Sequence, residues 1–357
     1  MEKIEAYIGS IATALPPCKI EQSKAAQLVR HHYATVLRPR SMEMLVKVLS
    51  HPSIASRYFA IDRMEDITIL KDEDPDARIA RFTRWSVELA ISAARKTLQN
   101  AGVAPREISA IVVNTCTGYI CPGIATYCIE PLGLRPDVVV YDCVGAGCGG
   151  ALPNLKLGAS LVRSGIKGPV VCVSVEICSA TYQMDNDPSL LISNAIFGDG
   201  AAAALVWNKP RGLHLAAFAS QYLPAFRDEV RYVHKNGQLF NRITPQLPKI
   251  IKQNVPTFIR GFLQQCNLNV NAVEQWALHP GGDKMVAGLQ EELQLSDAHL
   301  EPTRRILREA GNMSSPTVLF ILEILMQQPI GRVCLCAYGA GLSMHACLLE
   351  GECSRDR

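Results

Sequence analysis

The sequence lacks the long apolar run of a membrane-spanning helix, because no window reaches about 18 uncharged apolar residues. It has no block of lysines and arginines, and the formal net charge is only +3, so we do not expect nucleic acid as a partner. The first residues, Met1–Glu5, show neither the basic start nor the apolar stretch of a signal peptide. These absences favour a cytoplasmic protein without an integral membrane segment.

Metal-binding patterns are also missing from the sequence. None of the 13 cysteines forms a Cys-x2-Cys pair, and Cys334 and Cys336 lie in a strand-like run, so a zinc site is not expected. The acidic stretch Asp72–Asp76 lacks the glycine and the terminal glutamate of a calcium loop, and we expect a solvated loop there. Many cysteines without a secretory signal indicate a reducing compartment and free thiols.

The chain has what a large core needs, since 48% of its 357 residues are hydrophobic and only 19% are charged. Apolar strands alternate with helices along the sequence. For example, a helix predicted over 84–100 and closed by Gly102 precedes an apolar strand over 108–115. This alternation predicts an α/β fold whose sheets are covered by helices on both faces.

Two glycine turns, each leading into an apolar helix, give the chain two similar halves. Val144–Ala151 carries Cys148 in the first half, and Gly311–Pro316 carries Asn312 in the second. The elements around them follow the same order, which indicates a diverged internal duplication. We expect an N-terminal half over 1–209 and a C-terminal half over 210–357, with the two buried helices packed about a pseudo-twofold axis.

Cys148 lies at the tip of the first turn, between a strand predicted over 138–142 and a helix over 152–162. A cysteine at the start of a helix experiences the positive end of the helix dipole, which is expected to lower its pKa and favour the reactive thiolate. The alternative is a small buried cysteine in a glycine-rich turn. The choice between them depends on which groups lie nearby.

The pseudo-twofold axis would bring the starts of the two buried helices together, and with them Cys148 and Asn312. His279 ends a strand of the second half next to the same point. A cysteine, a histidine and an asparagine converging from three segments predict a nucleophilic site. Taken separately, His279 could also be a core histidine and Asn312 a helix cap.

Several phrases of this sequence resemble the type III polyketide synthases, the chalcone synthase superfamily. They are Gly147-Cys148-Gly149-Gly150, Phe197-Gly198-Asp199-Gly200, His279-Pro280-Gly281-Gly282, Gly311-Asn312-Met313-Ser314-Ser315 and Gly339-Ala340-Gly341-Leu342-Ser343. The resemblance runs from about Tyr7 to Leu349 and implies a thiolase fold, with five layers in the order αβαβα, in a homodimer. The loop Thr117–Gly123 looks most like that of bacterial enzymes that make alkylresorcinols and alkylpyrones from fatty acyl starters.

The resemblance implies a role for each of the three reactive residues. Cys148 attacks the thioester of an acyl-CoA starter, and His279 keeps its thiolate ionised. His279 and Asn312 donate hydrogen bonds to the thioester oxygen and to the enolate that malonyl-CoA forms on losing CO₂. The enolate attacks the acyl-enzyme, the cycle repeats, and ring closure gives an alkylresorcinol or alkylpyrone type of product. Acyl-CoA and malonyl-CoA are the implied substrates, with no metal or redox cofactor.

The resemblance also implies substrate-binding residues, with Phe197 as the gatekeeper between the CoA tunnel and the cavity, unless it is a core aromatic. Further residues expected at the cavity or on its loops are Cys116, Thr117, Cys178, Thr181, Ser314, Gly339 and Gly341. Cys121 is expected to reach across the dimer interface, although an ordinary loop cysteine is the alternative. Plant relatives carry threonine at positions 116 and 178, and the change to cysteine favours an apolar chain over a phenolic starter.

This sequence departs from the family pattern in two places. The final loop, often Gly-Phe-Gly-Pro-Gly, here reads Tyr338-Gly339-Ala340-Gly341. Plant relatives bind CoA phosphates through lysines where this chain has Ala55 and Ser56, so Arg57 is the remaining candidate for that contact.

Two rival interpretations stay open. A ketoacyl synthase III-like condensing enzyme of fatty acid synthesis also uses cysteine, histidine and asparagine, but usually carries His-Gln-Ala-Asn where this chain has His279–Gly282. A non-catalytic thiolase-fold partner subunit is expected to lack one of the three reactive residues, and this chain has all three.

Overall fold

The computed structural model describes residues 4–71 and 73–351. Thirteen strands follow one another along these residues: β1 (Tyr7–Ala14), β2 (Cys18–Glu21), β3 (Ser56–Phe59), β4 (Ala110–Thr115), β5 (Val139–Val144), β6 (Val170–Glu176), β7 (Gly200–Trp207), β8 (Leu213–Tyr222), β9 (Val230–Lys235), β10 (Gln238–Ile243), β11 (Gln275–Leu278), β12 (Arg332–Gly339) and β13 (Ser343–Glu350). The α-helices of the same residues are α1 (Gln22–His32), α2 (Pro39–Leu49), α3 (Pro75–Ala101), α4 (Ile124–Leu132), α5 (Ala151–Arg163), α6 (Pro188–Ile196), α7 (Leu247–Gln265), α8 (Asp283–Leu293), α9 (Asp297–Ala310) and α10 (Thr317–Leu325).

Nine of these strands form one sheet, in the order β11-β12-β13-β8-β1-β7-β6-β4-β5. The sheet consists of two half-sheets that meet where β1 pairs with β8. This seam contains only two residue pairs, Tyr7 with His214 and Ile8 with Leu213. Two short antiparallel ladders, β9 with β10 and β2 with β3, lie outside the sheet.

The two half-sheets repeat one pairing pattern. In the first, β4 pairs in parallel with β6, β6 pairs antiparallel with β7, and β7 pairs antiparallel with β1. In the second, β11 pairs in parallel with β12, β12 pairs antiparallel with β13, and β13 pairs antiparallel with β8. The repeated order confirms the internal duplication that the sequence predicts.

Helices α5 and α10 lie between the two half-sheets. Leu155 of α5 and Ile321 of α10 are fully buried in one core that also contains Val112 of β4 and Leu335 of β12. On the outer faces, α3 and α4 cover the first half-sheet, whereas α7 and α8 cover the second. The layers therefore follow the expected order αβαβα, with the two buried helices in the middle.

The expectation of a solvated acidic stretch before α3 holds for Asp74 and Asp76, which are exposed, and is wrong for Glu73. Asp74 caps α3 by accepting a hydrogen bond from the Ala77 N–H at 2.8 Å. The Glu73 side chain is only 4% exposed, and its carboxylate pairs with the Arg81 guanidinium at 2.7 Å. Asp72 lies outside the described residues. Because this cap precedes Pro75, α3 begins there and not at the predicted residue 84.

Candidate active site

Cys148, His279 and Asn312 lie at the ends of three different elements. Cys148 occupies a short 3-10 turn, Gly147–Gly149, between β5 and α5. His279 follows the last residue of β11, and Asn312 lies in the connection from α9 to α10. Each side chain is therefore placed by the end of a packed element, which fixes its backbone.

Ser314 of the second half lies beside two cysteines of the first. Its hydroxyl is 3.5 Å from the Sγ atom of Cys116 and near enough to Cys148 to act on the pKa of that thiol, which it lowers. The backbone of Ser314 has a φ angle of +60°, which is uncommon for a residue with a side chain. This conformation belongs to the turn that starts α10. The structure thus brings Ser314, Cys116 and Cys148 together, as the sequence predicts.

Gly339 lies directly against the nucleophile turn. A Cβ atom at this position would be 2.8 Å from the backbone nitrogen of Cys148 and 2.6 Å from that of Gly149. Ala340 approaches the turn from the same loop, since a Cβ atom on Gly147 would lie 2.7 Å from its nitrogen. Glycine is required at both contacts because no side chain fits between the two backbones.

Asn312 is oriented by its own loop. It is 2% exposed, and its Oδ1 atom accepts a hydrogen bond from the Ser314 N–H at 2.8 Å. This bond occupies the acceptor end of the side-chain amide. The Nδ2 group is left as a donor for a substrate oxygen.

His279 is 1% exposed, and neither of its ring nitrogens has a hydrogen-bond partner among the described residues. Burial lowers its pKa from 6.5 to about 3. The imidazole is therefore neutral at neutral pH and offers one donor and one acceptor. The ring of Tyr338 packs against it, with 5.5 Å between ring centroids, and Gly339, the next residue, contacts the Cys148 turn. The end of β12 thus connects the histidine with the nucleophile.

The pKa of Cys148 differs from the expectation based on the helix dipole. Burial raises it from 9.0 to about 12, although the hydrogen bond from Ser314 acts in the opposite direction. A rise of this size corresponds to about 4 kcal/mol of free energy in favour of the thiol over the thiolate. The value is lower in practice because solvent reaches this half-buried residue and screens its charge. A helix terminus contributes only about 0.3–1 kcal/mol. Desolvation therefore dominates, and the unliganded site favours the neutral thiol.

A buried carboxylate at the end of β6 connects the loop after β4 with the turn before α10. Glu176, at the end of β6, is 0% exposed. It accepts hydrogen bonds from the Thr117 hydroxyl at 2.9 Å, the Cys116 N–H at 2.9 Å and the Ser315 hydroxyl at 2.6 Å. Burial raises the pKa of Glu176, and these hydrogen bonds oppose the rise. Sequence reasoning missed this residue, although a glutamate ending a wholly buried strand was the available signal.

The β9–β10 hairpin places two residues against the predicted cavity residue Thr181, and sequence reasoning missed both. The hydroxyl of Tyr232 lies 3.4 Å from the Thr181 hydroxyl, and the Asn241 amide donates to the same hydroxyl at 3.4 Å. Burial raises the pKa of Tyr232 strongly, and nearby Cys116 and Cys178 contribute to the rise. The four predicted cavity residues, at 116, 178, 181 and 314, are therefore in one place, beside this hairpin.

A mostly apolar groove of about 340 Å³ leads from this region to the surface. Its lining comes from α3, the loop after β4, the end of β5 and the tip of the hairpin. The residues are Pro75, Arg78, Ile79, Phe82, Cys116, Thr117, Gly118, Tyr119, Val144, Gly145, Ala180, His234, Gly237, Gln238 and Leu239. Cys116 is thus the predicted cavity residue, together with Thr117, that also lines this groove.

Arg57 is buried, whereas a contact with a CoA phosphate requires an exposed guanidinium, so the predicted role in CoA binding is wrong. It is 3% exposed. Its guanidinium donates to the Gln22 side chain at 2.9 Å and to the carbonyl oxygens of Asn194 and Phe197 at 2.7 Å each. Burial lowers its pKa from 12.5 to about 10. Arg57 thus holds the backbone around Phe197 and is not available to a phosphate at the surface.

Phe197, Cys121 and Gly341 occupy different surroundings. Phe197 is partly buried and packs against the core of the second half-sheet. Cys121 is exposed and does not line the groove of its own chain. Gly341 has a φ angle of +104° with open space around it, so its backbone conformation, not a close contact, requires glycine.

No cluster of metal-ligating side chains occurs within residues 4–71 and 73–351. In the same part of the chain, every helix is too short or too polar to cross a membrane.

Comparison with known proteins decides the family. Residues 13–223 match the family described as FAE1/type III polyketide synthase-like protein, and residues 214–350 match the C-terminal domain of chalcone and stilbene synthases. The chain belongs to the type III polyketide synthases. This synthase is therefore a condensing acyltransferase, as the sequence predicts, and the match favours this assignment over both rival interpretations.

Relatives of this synthase cover most of its length. The alpha-pyrone synthesis polyketide synthase-like Pks18 of Mycobacterium tuberculosis is 26% identical over 97% of this chain and 91% of its own. The 1,3,6,8-tetrahydroxynaphthalene synthase of Streptomyces peucetius is 27% identical over 88% of this chain and 84% of its own. The 3,5-dihydroxyphenylacetyl-CoA synthase of Streptomyces toyocaensis is 27% identical over 80% of this chain and 76% of its own.

The solved structure of PKS-I from the brown alga Ectocarpus siliculosus has the same fold. Its TM-score is 0.90, with 23% identity, 98% of this chain covered and 99% of that chain. The predicted thiolase fold is thereby confirmed.

Proposed function

We propose that this synthase loads a fatty acyl group from CoA onto Cys148, extends it with malonyl-CoA and closes the product to an alkylpyrone or alkylresorcinol. The observation that carries the proposal is the groove of about 340 Å³ that continues from Cys116 and is lined mainly by apolar side chains. An alkyl chain gains free energy by leaving water for such a channel. The name of the mycobacterial relative, which refers to alpha-pyrone synthesis, supports a lactone product.

In the loading step, the sulfur of Cys148 attacks the thioester carbonyl of the starter. The imidazole of His279 takes the thiol proton and returns it to the CoA sulfur, which leaves as the thiol when the tetrahedral intermediate collapses. The Nδ2 group of Asn312 donates a hydrogen bond to the carbonyl oxygen as it becomes negative. Burial raises the pKa of Cys148 to about 12 and lowers that of His279 to about 3. The proton therefore moves only when a bound thioester gives the sulfur an electrophile.

In the extension step, malonyl-CoA occupies the place that CoA has left. The carboxylate departs as CO₂, and its electron pair becomes the enolate of acetyl-CoA. Asn312 and the ring N–H of His279 stabilise the enolate oxygen. The enolate carbon attacks the acyl thioester on Cys148, forms the new carbon–carbon bond and releases the sulfur. We propose that CoA thioesters are the only partners this chemistry needs, without a metal or redox cofactor.

The exposed edge of the sheet supports a homodimer. Val139, Tyr141 and Val144 of β5 are 39%, 40% and 59% exposed, and β5 is the last strand of the sheet. An open apolar edge favours pairing with a second strand. We propose that β5 of a second copy covers it, so that Cys121 reaches the partner's cavity.

We also propose a reducing, cytoplasmic location, because thiols such as those of Cys121, Cys143 and Cys148 are not in disulfides.

The test is incubation of the purified synthase with malonyl-CoA and a series of acyl-CoA starters, with products identified by mass spectrometry. We expect long-chain starters to give triketide and tetraketide products, and Cys148→Ala to give none. The double variant Cys116→Thr/Cys178→Thr is expected to lose preference for long chains. A preference of the unmodified synthase for coumaroyl-CoA would contradict the fatty acyl proposal, and polyketide made by Cys148→Ala would contradict the assigned nucleophile.

A further inference from the structure

The imidazole of His279 lacks the contact that usually orients a catalytic histidine. Such a ring is normally fixed by a hydrogen bond from its second nitrogen to a carboxylate or a carbonyl oxygen. Here neither ring nitrogen has a partner among the described residues. The backbone is held, since the His279 N–H donates to the carbonyl oxygen of Cys336 at 2.8 Å. That bond does not restrict rotation of the side chain, so another group must orient the ring.

The group in contact is Tyr338, on the neighbouring strand β12. Its ring meets the imidazole edge to face, with 5.5 Å between centroids and 81° between planes. This arrangement is one that aromatic pairs prefer. Tyr338 is 4% exposed and belongs to the core of the second half-sheet, so its own rotation is restricted by packing.

Gly281 leaves the space that this contact needs. A Cβ atom on Gly281 would lie 3.2 Å from Cε2 and 3.3 Å from the hydroxyl oxygen of Tyr338, and 2.5 Å from Sδ of Met285. The His279–Gly282 turn therefore wraps closely around the tyrosine ring. The imidazole and the glycine backbone both touch the same aromatic side chain.

The hydroxyl of Tyr338 contributes less to this arrangement than the ring. Its oxygen is buried near the Gly281 N–H, which opposes the rise that burial causes in its pKa, but it makes no hydrogen bond of good geometry with the described residues. A contact of poor geometry is weak compared with the packing of the ring. The contact with His279 consequently depends on the shape and the π-electrons of the ring.

We propose that Tyr338 is a positioning residue, whose ring directs the imidazole of His279 towards Cys148 and leaves both ring nitrogens available for proton transfer and hydrogen bonding. The inference rests on the role of His279 in the proposed function. It adds a residue that touches neither the substrate nor the reacting sulfur and acts through the histidine.

The test compares Tyr338→Leu, which removes the ring, with Tyr338→Phe, which restores it without the hydroxyl. Phe262→Leu is the matched control, because Phe262 is 3% exposed in the same core and has no ring contact with His279. We expect Tyr338→Leu to lower kcat about 100-fold, the effect of a small misplacement of a catalytic group, with little change in KM for malonyl-CoA. Tyr338→Phe should recover most of that loss, and Phe262→Leu should keep kcat.

A second readout does not require turnover. The rate at which iodoacetamide alkylates Cys148, measured by peptide mass spectrometry as a function of pH, reports how readily the thiol loses its proton to a base when an electrophile approaches. The profile of Tyr338→Leu should match that of His279→Ala and differ from the unmodified synthase. Should Tyr338→Leu fail to unfold cooperatively, Tyr338→Met fills similar space without a ring and is judged by the same criteria.

Two results would overturn the inference alone. One is an unchanged kcat and alkylation profile in Tyr338→Leu while His279→Ala loses both. The other is an equal loss in Tyr338→Phe and Tyr338→Leu, which would assign the effect to the hydroxyl. If His279→Ala itself retains both properties, the proposed function of the site fails instead.

Discussion

Phe197 and Asn312 lie side by side in a parallel β-bridge between the two halves of the protein. The Asn312 N–H donates to the carbonyl oxygen of Ile196 at 2.9 Å, and the Gly198 N–H donates to the carbonyl oxygen of Asn312 at 3.0 Å. Arg57 holds the same segment through the Phe197 carbonyl oxygen. The segment of Asn312, the proposed amide donor, is therefore fixed directly to the segment of Phe197, the residue expected at the entrance of the cavity.

Loss of the Asn312 donor is expected to slow the chemical steps. Asn312→Ala removes the Nδ2 group, and the lost hydrogen bond to the developing oxyanion should lower kcat about 100- to 1,000-fold. The measurement is kcat for polyketide formation together with the rate of malonyl-CoA decarboxylation. Asn312→Leu is the control for size, and it should be equally slow because its side chain cannot donate. A kcat for Asn312→Leu close to that of the unmodified synthase would assign the loss in Asn312→Ala to the empty space and not to the donor.

Gly339→Ala should displace the nucleophile turn. Its Cβ atom would lie 2.8 Å from the Cys148 nitrogen and 2.6 Å from the Gly149 nitrogen, so one of the two backbones must move. We expect starter loading on Cys148, followed by intact-protein mass spectrometry, to fall at least about 100-fold. Gly102→Ala is a control, because a Cβ atom there meets open space, although its left-handed backbone costs some stability. Normal loading by Gly339→Ala would show that the turn is not rigid.

Tyr232→Ala is expected to enlarge the cavity beside Thr181. The phenol fills space next to Cys116 and Cys178, and its removal should shift the products towards more extensions or bulkier starters. Loss of a buried aromatic side chain costs about 3–5 kcal/mol of unfolding free energy. Product distribution by mass spectrometry and thermal unfolding measure the two effects. Unchanged products with the expected loss of stability would place Tyr232 outside the reaction cavity.

His345 should make the protein less stable in mild acid. Its side chain is 1% exposed, Nδ1 lies 2.9 Å from the Ser220 hydroxyl, and burial together with Lys156 lowers its pKa from 6.5 to about 4. The unfolded chain therefore binds the proton first as the pH falls. The contribution is fully present above about pH 6.5, and about 3 kcal/mol is lost by about pH 4.

His345→Gln isolates this effect from the buried carboxylates. The pKa values of Glu176 and Asp199 are raised, so protonation of these carboxylates stabilises the folded state as the pH falls. Both carboxylates are present in the unmodified protein and in the variant, so their effect cancels in the comparison. Urea unfolding at several pH values should show the stability of the unmodified protein falling relative to His345→Gln between pH 6.5 and 4. A difference that stays constant with pH would mean that His345 is protonated equally in both states.

The places of Cys148, Asn312 and His279 in the fold were predictable because glycine marks them. Cys148 and Asn312 each follow a glycine with a positive φ angle, and His279 directly follows an apolar strand. Their protonation was not predictable. A helix start is visible in the sequence, whereas the desolvation that raises the pKa of Cys148 depends on groups from distant segments.

Long-range contacts explain the other differences. Arg57 looks like a surface base in the sequence, but its partners Gln22, Asn194 and Phe197 come together only in the fold. The hairpin of Tyr232 does have a local signal, since Asn236 and Gly237 both adopt positive φ angles typical of a tight hairpin turn. Even with that signal, its contact with Thr181 was beyond sequence reasoning.

The seam between the half-sheets has a consequence for how this site evolves. Only two residue pairs join β1 to β8, and the Phe197–Asn312 bridge and the Ser315–Glu176 hydrogen bond add a few polar contacts between the halves. The separation of Cys148 from His279 and Asn312 therefore depends also on the apolar side chains that fill the middle layer. Conservative exchanges among leucine, isoleucine and valine in α5 and α10 can adjust the reacting geometry by fractions of an ångström, while every polar residue of the site remains unchanged.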